Sequence, residues 1–209
     1  NFKKVTCDSD QYINSIVCEK NKYFVDFVFD ASGLNRLLIK NHFNVKWNSF
    51  RESLPMKKAI PFHLKSKEQI NPYTSAIALP HGWMWNVPLQ SRIGAGYVFD
   101  SNYIDENQAQ KEVEEFLNEK VEVRKVIDFE SGCFEKFWVN NCMAVGLASS
   151  FVEPLESTSL YLTVTQLKLI PFYVNHMFTK NNFGYDQFNS IMLNSMKDIV
   201  NFIYLHYCT

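Results

Sequence analysis

The sequence predicts a mixed α/β protein, and three observations carry that reading. A run of β-formers, Tyr23-Phe24-Val25-Asp26-Phe27-Val28-Phe29, ends at Asp30-Ala31-Ser32-Gly33, as a buried strand running into a glycine turn of a parallel nucleotide-binding sheet does. Short β-rich segments divided by Pro and Gly turns follow, which is the pattern of an antiparallel sheet. The last quarter of the chain repeats its apolar residues at helical spacing.

Each element has its own warrant. Residues 13–18 read as a short strand ahead of the 23–29 strand. Leu34, Leu37 and Leu38 continue the pattern after Gly33 as a helix. Residues 41–75 are expected to be irregular, because Pro55, Pro61 and Pro72 interrupt them. Residues 75–79 form a strand before the Pro80-His81-Gly82 turn, residues 83–87 a second before Pro88, and residues 92–99 a third. Gly94 and Gly96 lie inside that third strand, where glycine marks close approach of a ligand or another backbone. Asp105, with Gln108 three residues on, opens a helix as a capping box, with Ala109, Val113, Phe116 and Leu117 on one face. Residues 123–129 and 134–139 read as two more strands. Leu160, Val164, Leu167 and Val174 mark a long helix, with Pro171 as its kink. A final helix spans about residues 186–206, with Phe188, Ile191, Met192, Ile199, Phe202 and Ile203 as its apolar face.

Composition narrows the function. The 209 residues carry a formal net charge of −1, which argues against a nucleic-acid partner. Aromatic residues make up 15% of the chain, enough to fill a large core and to line an aromatic pocket. The five cysteines form an odd set without a CxxC, the pattern of free thiols in a reducing, cytoplasmic compartment. The five histidines have no metal-ligand spacing. No stretch is long and apolar enough to span a bilayer, and no signal peptide opens the chain.

The segment Phe151-Val152-Glu153-Pro154-Leu155-Glu156-Ser157-Thr158-Ser159-Leu160 is the most informative. It follows the small-residue strand end at residues 143–148 and precedes an apolar-periodic helix. The first N–H groups of a helix lack intrahelical partners, and its dipole favours negative charge. A carboxylate beside such an anion site needs a reason. Two stand open: Glu156 and Ser157 cap the helix, or Glu156 serves catalysis. Residues 157–160 are expected to open the helix toward a cavity, with Glu156 directed to the other side of the loop.

Several motifs together give a family. Trp83-Met84-Trp85-Asn86-Val87-Pro88 resembles the WxWxIP signature of the flavin-dependent tryptophan halogenases, with Val87 for Ile. Two indoles at i and i+2 share one strand face and form a flat wall. Arg92-Ile93-Gly94-Ala95-Gly96-Tyr97-Val98 is similar to the RxGxGYV segment that follows in the family. Phe137-Trp138-Val139-Asn140-Asn141-Cys142 is similar to FWxxN, and residues 146–160 to GLAxGFxEPLESTSI, with Ser150 where Gly is usual and Leu160 for Ile. Residues 25–38 resemble the strand–DCTG–RxLL segment, and residues 203–207 match IxLHY. Order and spacing hold over nearly the whole chain.

The resemblance implies a part of an FAD-binding, two-domain flavoprotein monooxygenase-like fold with an antiparallel sheet and C-terminal helices. Residues 1–40 would belong to the FAD-binding sheet and residues 41–140 to an antiparallel substrate-side region. Residues 141–209 would hold the FAD and halide loop and the helices, all in one compact unit. It also implies that reduced FAD, supplied by a separate flavin reductase, O2 and halide give a hypohalous species that halogenates an electron-rich aromatic ring. Glu156 matches the catalytic glutamate, and the N–H groups of Thr158 and Ser159 match the halide-binding amides. Asp30, Gly33, Gly146 and Leu160 match cofactor-side positions, and Trp83 and Trp85 the wall between flavin and substrate. A homodimer is compatible with the family. The family's GxGxxG turn and catalytic lysine have no match in this sequence, so the chain reads as the middle part of a halogenase, expected to be inactive in isolation. The alternatives are an FAD-dependent aromatic hydroxylase and a non-catalytic fragment.

Overall fold

The computed structural model describes residues 1–66, 71–180 and 182–208. Strands β1 (Phe2–Cys7), β2 (Ile13–Cys18), β3 (Lys22–Phe24), β4 (Val28–Asp30) and β5 (Trp47–Ser49) come first. Then follow β6 (Lys58–Lys65), β7 (Ser75–Leu79), β8 (Gly82–Pro88), β9 (Arg92–Phe99) and helix α1 (Glu106–Leu117). Short strands β10 (Ile127–Asp128), β11 (Gly132–Phe134), β12 (Trp138–Val139), β13 (Cys142–Ala144) and β14 (Ser150–Phe151) lead to α2 (Thr158–Met177) and α3 (Asn182–Leu205). The mixed α/β class with an antiparallel sheet and C-terminal helices is the one expected. Contacts divide the chain into two units, residues 1–49 with 132–209, and residues 50–131.

The 50–131 unit is built on one sheet of order β10-β6-β9-β8-β7, antiparallel throughout. Its core joins Ile60, Phe62, Met84, Tyr97 and Phe99 to Ala109 and Val113 of α1. The α1 capping box forms as expected, with Asp105 accepting from the Gln108 amide and Gln108 from the Asp105 amide. Phe116, expected on the buried face, is exposed. The buried Tyr97 hydroxyl is satisfied by Glu112 of α1.

Residues 41–75 are not wholly irregular: they contain β5 and the eight-residue β6, while positions 67–70 lie outside the described residues. Pro61 sits inside β6 because the β10 ladder reaches only Lys58 and Ala59. Beyond them a missing N–H leaves no pair of that ladder broken. The expected 123–129 strand shrinks to β10 for the same reason, since only those two residues have ladder partners on β6.

The other unit holds three small sheets, β1-β2-β3, β14-β11-β5 and β12-β13-β4, together with α2 and α3. The single strand expected over residues 23–29 is two. Residues 22–24 pair with β2, and residues 28–30 run parallel to β13. The chain changes sheet between them, where the Val25 amide still bonds Asn14 and the Asn141 side chain takes the Asp26 carbonyl. Residues 134–139 likewise divide between β11 and β12, as the Asn189 side chain captures the Phe137 and Trp138 amides at 2.8 Å each.

The helix expected after Gly33 is one 3-10 turn, Gly33–Asn35, followed by turns. Arg36 adopts a left-handed φ of 52°, and the amides of Leu38 and Ile39 bond the Asp30 carboxylate. Amides held by a side chain cannot join an i→i−4 ladder. In α2 the buried face is Thr158, Leu162, Gln166, Tyr173 and Met177. Leu160, Val164, Leu167 and Val174, whose helical spacing marks α2 in the sequence, are exposed. Helical spacing marks a stripe without saying which stripe is covered when both faces carry apolar residues. In α3 Phe188, Met192, Ile199 and Ile203 are buried as expected, Phe202 is exposed, and Met196 and Val200 complete the face.

Candidate active site

Two features that the sequence points to are built in the unit of residues 1–49 and 132–209. The first lies where β4 and β13 end side by side. These strands are parallel, with Ala144 opposite Asp30, and the Val145 amide continues the pairing to the Asp30 carbonyl at 3.0 Å. Each then turns through a glycine with positive φ, Gly33 at 64° and Gly146 at 60°. The 3-10 turns that begin at these glycines, Gly33–Asn35 and Gly146–Ala148, pack on each other. The fold thus brings Asp30, Gly33 and Gly146 together at the carboxyl ends of parallel strands, the place where α/β sheets bind ligands.

Asp30 is buried, and its carboxylate is fully engaged. Oδ1 accepts from the Ser32 amide and hydroxyl, and Oδ2 from the Leu38 and Ile39 amides at 2.8 and 3.0 Å. Its charge, after burial, is a further reason why the Cys142 thiol is pushed well above its usual range. Asp30 therefore shapes the glycine turn from within. Nothing lies within 4 Å of where a Cβ on Gly33 would stand, and a Cβ on Gly146 would meet only Thr163, at 3.7 Å. The residues after the two glycines, Leu34 and Leu147, are 49% and 40% exposed. The two glycine turns thus present open backbone beside exposed apolar side chains.

The second feature is the loop ahead of α2. Pro154 leads into a short turn, Leu155–Ser157, in which Glu156 has φ 54° and Ser157 φ 53°. Two successive non-glycine residues in the left-handed region cost on the order of 1–3 kcal/mol each and persist only where their surroundings hold them. The holding contacts are visible. The Ser159 hydroxyl donates to the Val152 carbonyl at 3.2 Å and accepts the Val152 amide at 3.4 Å, and the Thr158 hydroxyl donates to the Leu155 carbonyl. Leu155 and Glu153 are buried.

Ser157 occupies the N-cap position, but its side chain makes no capping hydrogen bond. Helix capping is thus not what Ser157 does. Glu156 is solvent-exposed and lines a cavity of about 430 Å³ together with Thr158, Tyr161, Ser195, Asp198, Ile199 and Phe202. Glu156 and Thr158 share this cavity and do not face opposite sides of the loop, because the double left-handed turn reverses the chain just before α2. Thr158 and Ser159 are the first two residues of α2, as expected. The Thr158 amide closes the short turn by bonding the Leu155 carbonyl. Leu160, the third residue of α2, is 66% exposed.

Trp83 and Trp85 belong to the 50–131 unit and share a face of β8, their rings 6.2 Å apart at 61°. Met84 points the opposite way, into the core. Trp85 lies across Gly96, its register partner, where a Cβ would stand 2.1 Å from the indole. The glycine in β9 therefore marks the approach of an aromatic ring from the neighbouring strand.

Three polar residues were given no role by sequence reasoning. Gln166 joins the two features: it accepts from the Gly146 amide at 3.2 Å and donates to the Ala144 carbonyl at 2.6 Å, from the buried face of α2. Asn141 bonds both the amide and the carbonyl of Ile13 and the carbonyl of Asp26. Asn189 holds β12 to α3. A polar residue inside an apolar helical stripe is the signal that could have found Gln166 and Asn189. Among the described residues no cluster of His, Cys, Asp or Glu could hold a metal ion, and no helix is long and apolar enough to cross a membrane.

Comparison with known proteins gives the family. The tryptophan halogenase family model matches residues 1–209. The chain belongs to that family. It is 32% identical over 213 residues to the tryptophan 6-halogenase SttH of Streptomyces toxytricini, covering 98% of this chain and 40% of SttH. An uncharacterised protein of Sinorhizobium fredii, y4xG, is 41% identical over 150 residues, or 72% of this chain and 30% of that protein. The structure of BrvH, a flavin-dependent halogenase from Brevundimonas sp. BAL3, superposes with a TM-score of 0.90 at 28% identity, over 99% of this chain and 43% of BrvH. The chain thus spans about two fifths of the length of SttH and BrvH.

Proposed function

We propose that the protein of which this chain forms part is a flavin-dependent halogenase that acts on an electron-rich aromatic ring of the indole type. The single observation that carries this reading is the Glu156–Ser157 double left-handed turn, which places a carboxylate and the start of α2 on one cavity in a chain matched throughout by the halogenase family. Reduced FAD, supplied by a separate flavin reductase and held by this protein, would together with O2 supply the oxidising equivalents that turn halide into an electrophilic halogen species.

The chain's own residues do the rest. Gly33 and Gly146 let the backbone come close to the cofactor, Asp30 holds the Gly33 turn in shape, and Leu160 offers an exposed apolar edge. The first turn of α2 attracts the halide through N–H groups without intrahelical partners and through the helix dipole. With the Thr158 amide turned to the Leu155 carbonyl, the Ser159 amide takes the larger share. Glu156 orients the electrophilic species and accepts the proton that leaves the ring after substitution. Trp83 and Trp85, on one face of β8, supply the family's double-indole motif, which would keep an organic substrate off the flavin.

The test is Glu156→Gln in the complete protein, assayed with FAD, a flavin reductase, NADH, halide and a panel of indoles and phenols. Product should fall by on the order of 10²–10⁴-fold, the usual contribution of a positioned acid–base group, while flavin reoxidation continues. Parent-level halogenation by the variant would sink the assignment. A parallel fall in both rates would place Glu156 in support of the flavin instead.

A further inference from the structure

We infer that Glu153 and Tyr207 are a positioning pair that holds Glu156 in its working conformation, an inference that rests on the halogenase reading of the loop. Glu153 is 0% exposed, yet it is a carboxylate in the middle of the loop between β14 and α2. The Tyr207 hydroxyl, 54 residues away and just past the end of α3, donates to its Oε1. An apolar residue would fill this buried position at lower cost, because a carboxylate taken out of water needs hydrogen bonds in compensation. What a carboxylate adds is a directional bond, and this one ties the loop to a second element.

The bond acts where the loop needs it. Glu153 stands three residues before Glu156, and the intervening chain is Pro154, with φ −71°, and the buried Leu155. Those two residues transmit the position of Glu153 to the left-handed pair that follows. The Ser159 hydroxyl grips Val152 on the other side of Glu153, so Val152 is fixed from α2 and Glu153 from the end of α3. The α2 and α3 helices pack against each other, which makes the two anchors one frame. The Glu156 side chain then faces Ser195, Asp198 and Phe202 of α3 across the cavity. Without the Tyr207 anchor the αL–αL turn relaxes toward ordinary backbone, and the Glu156 carboxylate leaves that position.

The experiment uses the complete protein and the variants Tyr207→Phe and Glu153→Gln. Tyr207→Phe keeps the ring and removes only the donor. It should lower the kcat for halogenation by about 10–100-fold, the penalty of a misplaced catalytic group, with the aromatic substrate's KM and the rate of flavin reoxidation unchanged. Amide hydrogen exchange of residues 155–160, measured without cofactor, should accelerate, while that of β6 and β9 stays at the parent level. Glu153→Gln retains an acceptor for the Tyr207 hydroxyl and should stay close to the parent in both measurements.

Parent-like loop exchange in Tyr207→Phe would overturn the inference, whatever the activity. So would a loss in Glu153→Gln as large as that in Tyr207→Phe, because the hydrogen bond would then not be what matters. A fall in KM-dependent binding and kcat together would assign the pair to general stability and overturn the positioning role. If the parent protein halogenates nothing in the panel, the halogenase reading fails by itself, and the exchange measurement still decides whether the pair holds the loop.

Discussion

Replacing Asp30 with Ala should destabilise the protein far more than a surface substitution does. The buried carboxylate accepts four hydrogen bonds, two of them from the amides of Leu38 and Ile39, which are themselves buried. A stranded buried donor costs about 1–3 kcal/mol, so these two amides alone account for roughly 2–6 kcal/mol. The Ser32 amide and hydroxyl add less, because Ser32 reaches solvent. Asp30→Asn gives a second value. Its amide can serve one oxygen's pair of donors while its NH2 faces the other pair, so about half of the loss should remain. Urea unfolding followed by circular dichroism measures both variants against the parent. A loss below about 0.5 kcal/mol for Asp30→Ala, the range of an inconsequential surface change, would refute the claim that this carboxylate builds the Gly33 turn.

The remaining predictions are shorter. Gly96→Ala should displace the Trp85 indole, since a Cβ would stand 2.1 Å from it. Overpacking of this kind costs about 1–3 kcal/mol, and a changed tryptophan emission spectrum with a lowered unfolding midpoint would show it. Burial pushes the Cys133 thiol from its usual 9.0 up to about 12. Between those values the unfolded chain has lost the proton that the folded chain keeps, so the stability contributed by the neutral thiol is full below pH 9 and lost as pH rises toward 12. Cys133→Ala should therefore flatten the alkaline limb of a stability–pH curve; an unchanged limb would show that other groups set it. The 209-residue chain expressed by itself should bind FAD weakly and yield little halogenated indole by mass spectrometry, because its sequence lacks the GxGxxG turn and family lysine. Strong turnover would contradict that.

The sequence determined the family and the order of the chemistry-bearing segments, because its motifs are contiguous and each needs only its own residues to be read. The double-Trp strand, the α1 capping box and the start of α2 at Thr158 were legible for that reason: local pattern and local hydrogen bonding coincide there. Tertiary structure decided what depends on a partner far along the chain. The 23–29 run became two strands because β2 and β13 claim its two ends. The residues after Gly33 gave up a helix to the buried Asp30 carboxylate. On α2 the covered face proved to be the one with Gln166, which reaches Ala144 and Gly146 and thereby links the Gly146 turn to the helix that opens at Thr158. Periodicity records that a segment has an apolar side, but only packing settles which groups meet across a fold, since burial and hydrogen-bond partners are properties of the assembled chain.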